Sequence, residues 1–275
     1  MGTPQTMRTL ALLSIILLLM GESCIASHTP ADPNARIVDV EWLAEQQSHS
    51  TILFVDAREA DEFAKSHIPG AVNLPASETL PKTGHHKHQV SLSHIQKQIA
   101  ALGLNHAIRV MIYDDQLVDA ARVLWVLEAN GHENTAILNG GIKAWLDHGG
   151  PVSQEITNPT PIAFIPRPDP AKIATKLSTR IASLHTNKIL LDVRSEDEYH
   201  GKQGIPSGSG HIPNSINIPS QKFFNADNQL KSLNELKRVF YRLNRNTPVI
   251  TYSNYGKRAS LAYLLLTELG YSVQV

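Results

Sequence analysis

The chain repeats itself, and the repeat narrows the folds open to it. Ile189-Leu-Leu-Asp192-Val-Arg194 answers Ile52-Leu-Phe-Val-Asp56-Ala-Arg58. His211-Ile-Pro-Asn-Ser-Ile-Asn-Ile-Pro219 answers His67-Ile-Pro-Gly-Ala-Val-Asn-Leu-Pro75. Val249-Ile-Thr-Tyr252 answers Val110-Met-Ile-Tyr113, and Gly270 answers Gly131. Matches kept in one order mark a tandem duplication. Domain 1 is placed at 37–150, a proline-rich extended linker at 151–170 and domain 2 at 171–275. The second copy carries extra glycine-rich sequence, Gly201 to Gly210, before its His-Ile-Pro.

Within each copy, short β-branched runs alternate with segments of helical periodicity. In domain 1, strands are expected at Thr51–Val55, Val72–Leu74, Arg109–Tyr113 and Thr135–Leu138. Helices are expected from Val38, Glu59, Ser91 and Ala120, and around Trp145 after the Asn139-Gly140-Gly141 turn. Such alternation implies an α/β fold, a mainly parallel sheet with helices on both faces. Domain 2 is expected to be truncated at its C-terminus, because Val275 falls near the start of its last strand.

The stretch from Val249 to Glu268 concentrates the chemistry. Val249–Tyr252 reads as a buried strand, and Leu261, Leu264, Leu265 and Leu269 recur at helical spacing up to Gly270. Between them lies the turn Ser253-Asn254-Tyr255-Gly256-Lys257-Arg258. A strand-to-helix turn aims backbone N–H groups at one point, and the helix dipole adds positive potential there. Lys257 and Arg258 add charge, so the turn reads as an anion cradle. In domain 1 Asp114 stands opposite Ser253 and Asp119 opposite Arg258, which makes that copy a scaffold.

The run Phe63-Ala-Lys-Ser-His67-Ile-Pro-Gly-Ala-Val-Asn-Leu74, preceded by Asp56-Ala-Arg58, resembles the signature of rhodanese-like domains. Asn139-Gly140-Gly141 with Trp145 is similar too. The whole resembles a tandem-domain thiosulfate or 3-mercaptopyruvate sulfurtransferase. That resemblance implies a loop at Ser253–Arg258 whose first residue is a Cys that becomes a persulfide and passes sulfur to a thiophilic acceptor. It also implies Arg194 as the holder of the anionic donor, and an acidic residue at Asp114. Here the first loop residue is Ser253. A hydroxyl is a poor nucleophile without a base and has no sulfur to carry, and Thr251-Tyr-Ser-Asn-Tyr255 is no G-x-S-x-G elbow.

Other polar residues have plainer readings. Arg58 with Asp56 is read as a buried pair that fixes a turn. Arg194 with Asp192 reads equally as such a pair or as a bidentate anion clamp. His67 and His211 are read as turn caps bonded to backbone. His85-His86-Lys87-His88, with His94, is read as a solvated loop rather than a metal site, and no metal or cofactor is expected. Trp42, Trp125 and Trp145 are read as core. Tyr255 either shapes or fills the pocket mouth.

Lys+Arg and Asp+Glu both number 25, which leaves no net charge to recruit nucleic acid or an anionic membrane. Arg8 precedes the apolar run Leu10–Met20, and small residues surround Ala26. Residues 1–26 are therefore expected to be a signal peptide cleaved after Ala26, with a periplasmic or secreted product. The lesser alternatives are an uncleaved anchor and lipidation at Cys24. Cys24 is the single cysteine, so the cleaved chain has no thiol. The leading expectation is a pseudo-enzyme that binds a small anionic sulfur compound through Arg194, Asn254, Tyr255, Gly256, Lys257 and Arg258. An active sulfurtransferase with a thiol or protein acceptor, or a protein-interaction module, are the alternatives.

Overall fold

The computed structural model describes residues 35–45, 52–80, 91–104, 108–203, 209–226 and 229–275. The expected signal peptide, Cys24, the His85–His88 cluster and half of the glycine-rich insertion lie outside the described residues.

Domain 1 runs β1 (Ile37–Val38), α1 (Val40–Glu45), β2 (Ile52–Asp56), α2 (Ala60–Lys65), β3 (Val72–Asn73), α3 (Leu92–Ala101), β4 (Arg109–Tyr113), α4 (Val118–Ala129), β5 (Thr135–Leu138) and α5 (Gly141–Asp147). Domain 2 runs α6 (Lys176–Leu184), β6 (Ile189–Asp192), α7 (Glu196–Tyr199), β7 (Ile216–Asn217), α8 (Leu233–Val239), β8 (Val249–Tyr252), α9 (Lys257–Glu268) and β9 (Val273–Gln274). The sheets have the orders β1-β5-β4-β2-β3 and β7-β6-β8-β9, and every pairing in them is parallel. The repeat read from the sequence is thus a repeat of topology. The last strand, expected near Val275, is β9, paired with β8 through Val249↔Val273. Beside it, Ala174 N–H donates to Val275 O and Val275 N–H to Lys172 O, an extended segment placed as β1 is against β5.

Strand alternation divides the apolar residues between two faces. Val55, Val110, Ile112 and Ile137 face α4 and belong to a core that also takes in Leu191, Val249, Leu261, Leu264 and Leu265 of domain 2. Phe54, Met111 and Leu138 point the other way, onto Leu43, Phe63, Ile142 and Trp145. In domain 2 the corresponding outer cluster is small: Ala182, Leu190 and Ile250. One core therefore spans both domains along the α4–α9 seam. This explains why α4 and α9 are apolar nearly all round: eight residues of each are buried.

A polar network is buried in the seam. Glu128 of α4 accepts from Arg36 Nε (3.0 Å) and Nη2 (2.7 Å), from Thr135 Oγ1 (2.8 Å) and from Tyr263 Oη of α9 (2.7 Å). A buried carboxylate is tolerated when its lone pairs are filled in this way. Residues 151–170 carry no helix or named strand, yet the segment is tied down. Ser153 and His67 exchange backbone hydrogen bonds, Ile162 N–H donates to Ala100 O, and Arg167 N–H donates to Asn130 O.

Candidate functional site

The site grows out of the C-terminal end of β8. The buried strand sets Tyr252, whose hydroxyl donates to Ser215 Oγ and accepts from Ile212 N–H, and burial pushes its pKa up to about 12. The chain then turns through Ser253–Tyr255. It enters α9 at Gly256, which sits at φ +80° in the left-handed region where glycine carries no Cβ penalty. Domain 1 makes the same turn after β4, with Leu117 at φ +66° in the place of Gly256.

The two turns differ in what their backbone N–H groups hold. In domain 1 the Asp114 carboxylate is buried and fills the cradle. It accepts from Leu117 N–H (2.5 Å), Asp119 N–H (2.8 Å) and Ala120 N–H (3.2 Å). Burial pushes its pKa up to about 7, against the pull of those N–H groups. The counterparts in domain 2 are the N–H groups of Gly256, Arg258 and Ala259. There Ser253 Oγ, one bond shorter than a carboxylate, accepts only from Ala259 N–H among the described residues, at 3.4 Å.

The structure brings together the residues expected to hold an anion, but it gives each side-chain cation a carboxylate. Arg258 forms a bidentate pair with Glu198 (2.6 and 2.9 Å). Glu198, so held by Arg258, has its pKa lowered to about 2. Lys257 reaches across the seam to Asp119 at 2.8 Å. Arg194 donates to Asp192 through Nε (3.0 Å) and Nη2 (2.6 Å), and to Gly210 O through Nη2 (2.7 Å). Only its Nη1 turns to the loop, 3.4 Å from Asn254 Oδ1. Arg58 repeats this arrangement on Asp56 and Ser66 O. Of the two readings of Arg194, the turn-fixing pair is the one formed. Arg194 and Arg258 do not stand as open counter-charges; the positive potential left to the cradle comes from backbone N–H groups at the start of α9.

Glu198 was not among the residues expected at the site. Its local role was legible, since Ser195-x-x-Glu198 is a capping box and both of its hydrogen bonds form. Its pairing with Arg258, 60 residues away, was not. Asn254 is fixed by the same carboxylate, donating through Nδ2 at 2.7 Å. Tyr255 is exposed. The histidines serve the backbone. His67 sets its ring nitrogens against Phe63 O (2.8 Å) and Glu155 O (3.0 Å), and His211 sets Nδ1 against Tyr199 O (2.8 Å). Each stacks on an aromatic ring, His67 on Phe63 four residues before it and His211 on Tyr199 at the end of α7.

Two parallel α/β domains with one strand-to-helix loop of each at equivalent positions define a class, and comparison with known proteins supplies its name. The Rhodanese-like domain model matches residues 39–148 and 174–275. The chain belongs to the rhodanese family. Among relatives, it is 31% identical over 225 residues to 3-mercaptopyruvate sulfurtransferase of Mus musculus, covering 74% of this chain and 75% of that one. It is 29% identical to a putative thiosulfate sulfurtransferase of Saccharopolyspora erythraea, covering 85% and 86%. The crystal structure of the 3-mercaptopyruvate sulfotransferase SseA from Escherichia coli has the same fold. It superposes with a TM-score of 0.73 at 24% identity, over 87% of this chain and 97% of that one.

Proposed function

We propose that this protein is a sulfurtransferase relative that binds a small sulfur oxyanion, such as thiosulfate or sulfate, in the Ser253–Arg258 loop without forming a persulfide. The carrying observation is internal to the chain. Domain 1 places a carboxylate, that of Asp114, on three N–H groups of its loop. Domain 2 repeats the loop with a serine too short to reach them all. An oxyanion at that point would take the N–H groups of Gly256 and Arg258 at the positive end of α9. Transfer chemistry is set aside because Ser253 has no sulfur and Cys24 is the single cysteine. Export rests on the pattern of Arg8, Leu10–Met20 and Ala26. N-terminal sequencing of the mature protein checks it, with Ser27 as the expected first residue.

Isothermal titration with thiosulfate tests the binding. Wild type should bind. Ser253→Asp, which supplies its own carboxylate to the cradle as Asp114 does, should lose at least tenfold in affinity. A parallel assay follows thiocyanate formed from thiosulfate and cyanide. Only Ser253→Cys should turn over: its thiolate takes the outer sulfur, sulfite leaves, and cyanide removes the sulfur. Turnover by the wild type would overturn the pseudo-enzyme reading. Equal thiosulfate binding by Ser253→Asp would remove the cradle as the site.

A further inference from the structure

A cleft of about 460 Å³ opens between the domains, on the side of the loop formed by Tyr255 and Gly256. α3 and α4 form one wall, and Ile173 and Val275 complete the other. Most of its lining is apolar, with Leu92, Ile95, Val126 and Trp125 contributing. Among the described side chains that line it, one carries a full charge, the guanidinium of Arg122.

Arg122 is held firmly, and no described acidic side chain pairs with it. Nε donates to Thr79 Oγ1 (3.1 Å) and Nη2 to Thr79 O (2.8 Å), and the group lies 4.7 Å from the centroid of the Trp125 ring. Nη1 stands beside the loop, 3.0 Å from where a Cβ on Gly256 would sit. Among the described residues no carboxylate forms an ion pair with it. Acidic side chains on its own helix and beside Thr79 are engaged elsewhere: Asp119 with Lys257 (2.8 Å), Glu128 with Arg36 (2.7 Å), and Glu78 with Gln98 (3.4 Å) and His94 (3.7 Å). Burial lowers its pKa to about 10, so it remains charged at neutral pH. The other cations around the loop, Arg194, Lys257 and Arg258, all have acidic partners. A desolvated cation without an anion is costly, and a ligand that supplied one would relieve the cost.

We propose that this cleft binds an organic monoanion with an apolar body, an alkyl or aryl sulfonate, thiosulfonate or carboxylate, whose charged head pairs with Arg122 beside Gly256 and whose body lies along Leu92, Ile95 and Trp125. The apolar lining rejects a bare inorganic anion, which keeps its hydration better in water. The inference does not rest on the cradle at Ser253, and the two sites are separable by mutation.

Titration calorimetry with 1-octanesulfonate as the probe tests this on the full chain. Wild type should bind it, and excess sulfate should not displace it. Arg122→Leu should weaken binding at least tenfold. Leu92 is 56% exposed, so Leu92→Glu should leave the fold intact, as circular dichroism will check, while weakening binding at least fivefold. Ser253→Asp should leave octanesulfonate affinity unchanged even as it weakens thiosulfate binding at least tenfold. The proposal fails if wild type does not bind the probe, if sulfate displaces it, or if Leu92→Glu binds as tightly as wild type. Should Arg122→Leu not fold, the Leu92→Glu result decides alone.

Discussion

At the scale of single residues, the loop's charge balance makes a pH prediction. Glu198 has its pKa lowered to about 2 in the folded protein by Arg258, against an ordinary value of 4.5. A depressed carboxylate stabilises the fold above its unfolded pKa, and that stability is lost as pH falls through the folded one. The wild type should therefore lose stability between about pH 4.5 and 2. Glu198→Gln should be less stable at pH 7 and show a flatter profile in that acid window, measured by urea midpoints. An unchanged profile would mean that the Arg258–Glu198 pair does not form in solution. The candidate site was partly legible in the chain for a related reason. The turn Ser253–Arg258 and the backbone role of Gly256 follow from local pattern, since a strand, a left-handed residue and an apolar helix are written in consecutive residues. The partners of its cations were not legible. Glu198 and Asp119 meet Arg258 and Lys257 only through tertiary packing, and no periodicity encodes such pairs. Arg122 was hidden for the same reason: in Ala-Ala-Arg-Val-Leu-Trp125 it is one polar residue in a core helix.

At the scale of elements, the duplicated strand-turn-helix invites a direct comparison. Asp114 is a capping carboxylate whose pKa burial raises to about 7. The sign here is the reverse of Glu198. The folded state binds the proton more tightly than the unfolded chain, so the contribution of Asp114 is full below about pH 4 and declines as pH rises to about 7. Replacing it by Ser copies the domain 2 loop into domain 1. Asp114→Ser removes up to three hydrogen bonds to buried N–H groups and should cost about 1–3 kcal/mol. The cost should be larger at pH 4 than at pH 8, as seen in thermal melts at the two pH values. A cost that grows with pH would assign Asp114 an ordinary, ionised role. The inner strands were readable at this scale to within a residue or two, because parallel strands covered on both faces are written as short apolar runs, whereas the two-residue edge strand β1 was not, Val38 being read as the start of a helix. The start of α4 at Val118, two residues earlier than its periodicity suggested, follows from Leu117 taking the left-handed conformation that glycine takes in domain 2.

At the scale of the molecule, the duplication joins its two halves into one core rather than leaving two beads on a linker. Leu124 and Leu127 of α4 and Leu261, Leu264 and Leu265 of α9 belong to the same apolar cluster, and Glu128 takes hydrogen bonds from both domains. The seam also fixes the geometry of both sites. Lys257 is neutralised by Asp119 across it, and the Arg122 cleft exists only while the domains are docked. Such a seam should make the domains melt together. Scanning calorimetry of the wild type should give one transition. Glu128→Ala strands Arg36, whose side chain is 17% exposed, without its main carboxylate. Breaking a buried pair by removing one partner costs about 3–5 kcal/mol, which for a chain of this size lowers Tm by on the order of 10 °C. The same variant should weaken octanesulfonate binding, because the cleft opens as the domains separate. Two separate transitions in the wild type, or a Glu128→Ala protein that melts with it, would mean that the domains fold independently and that the seam holds neither the core nor the cleft.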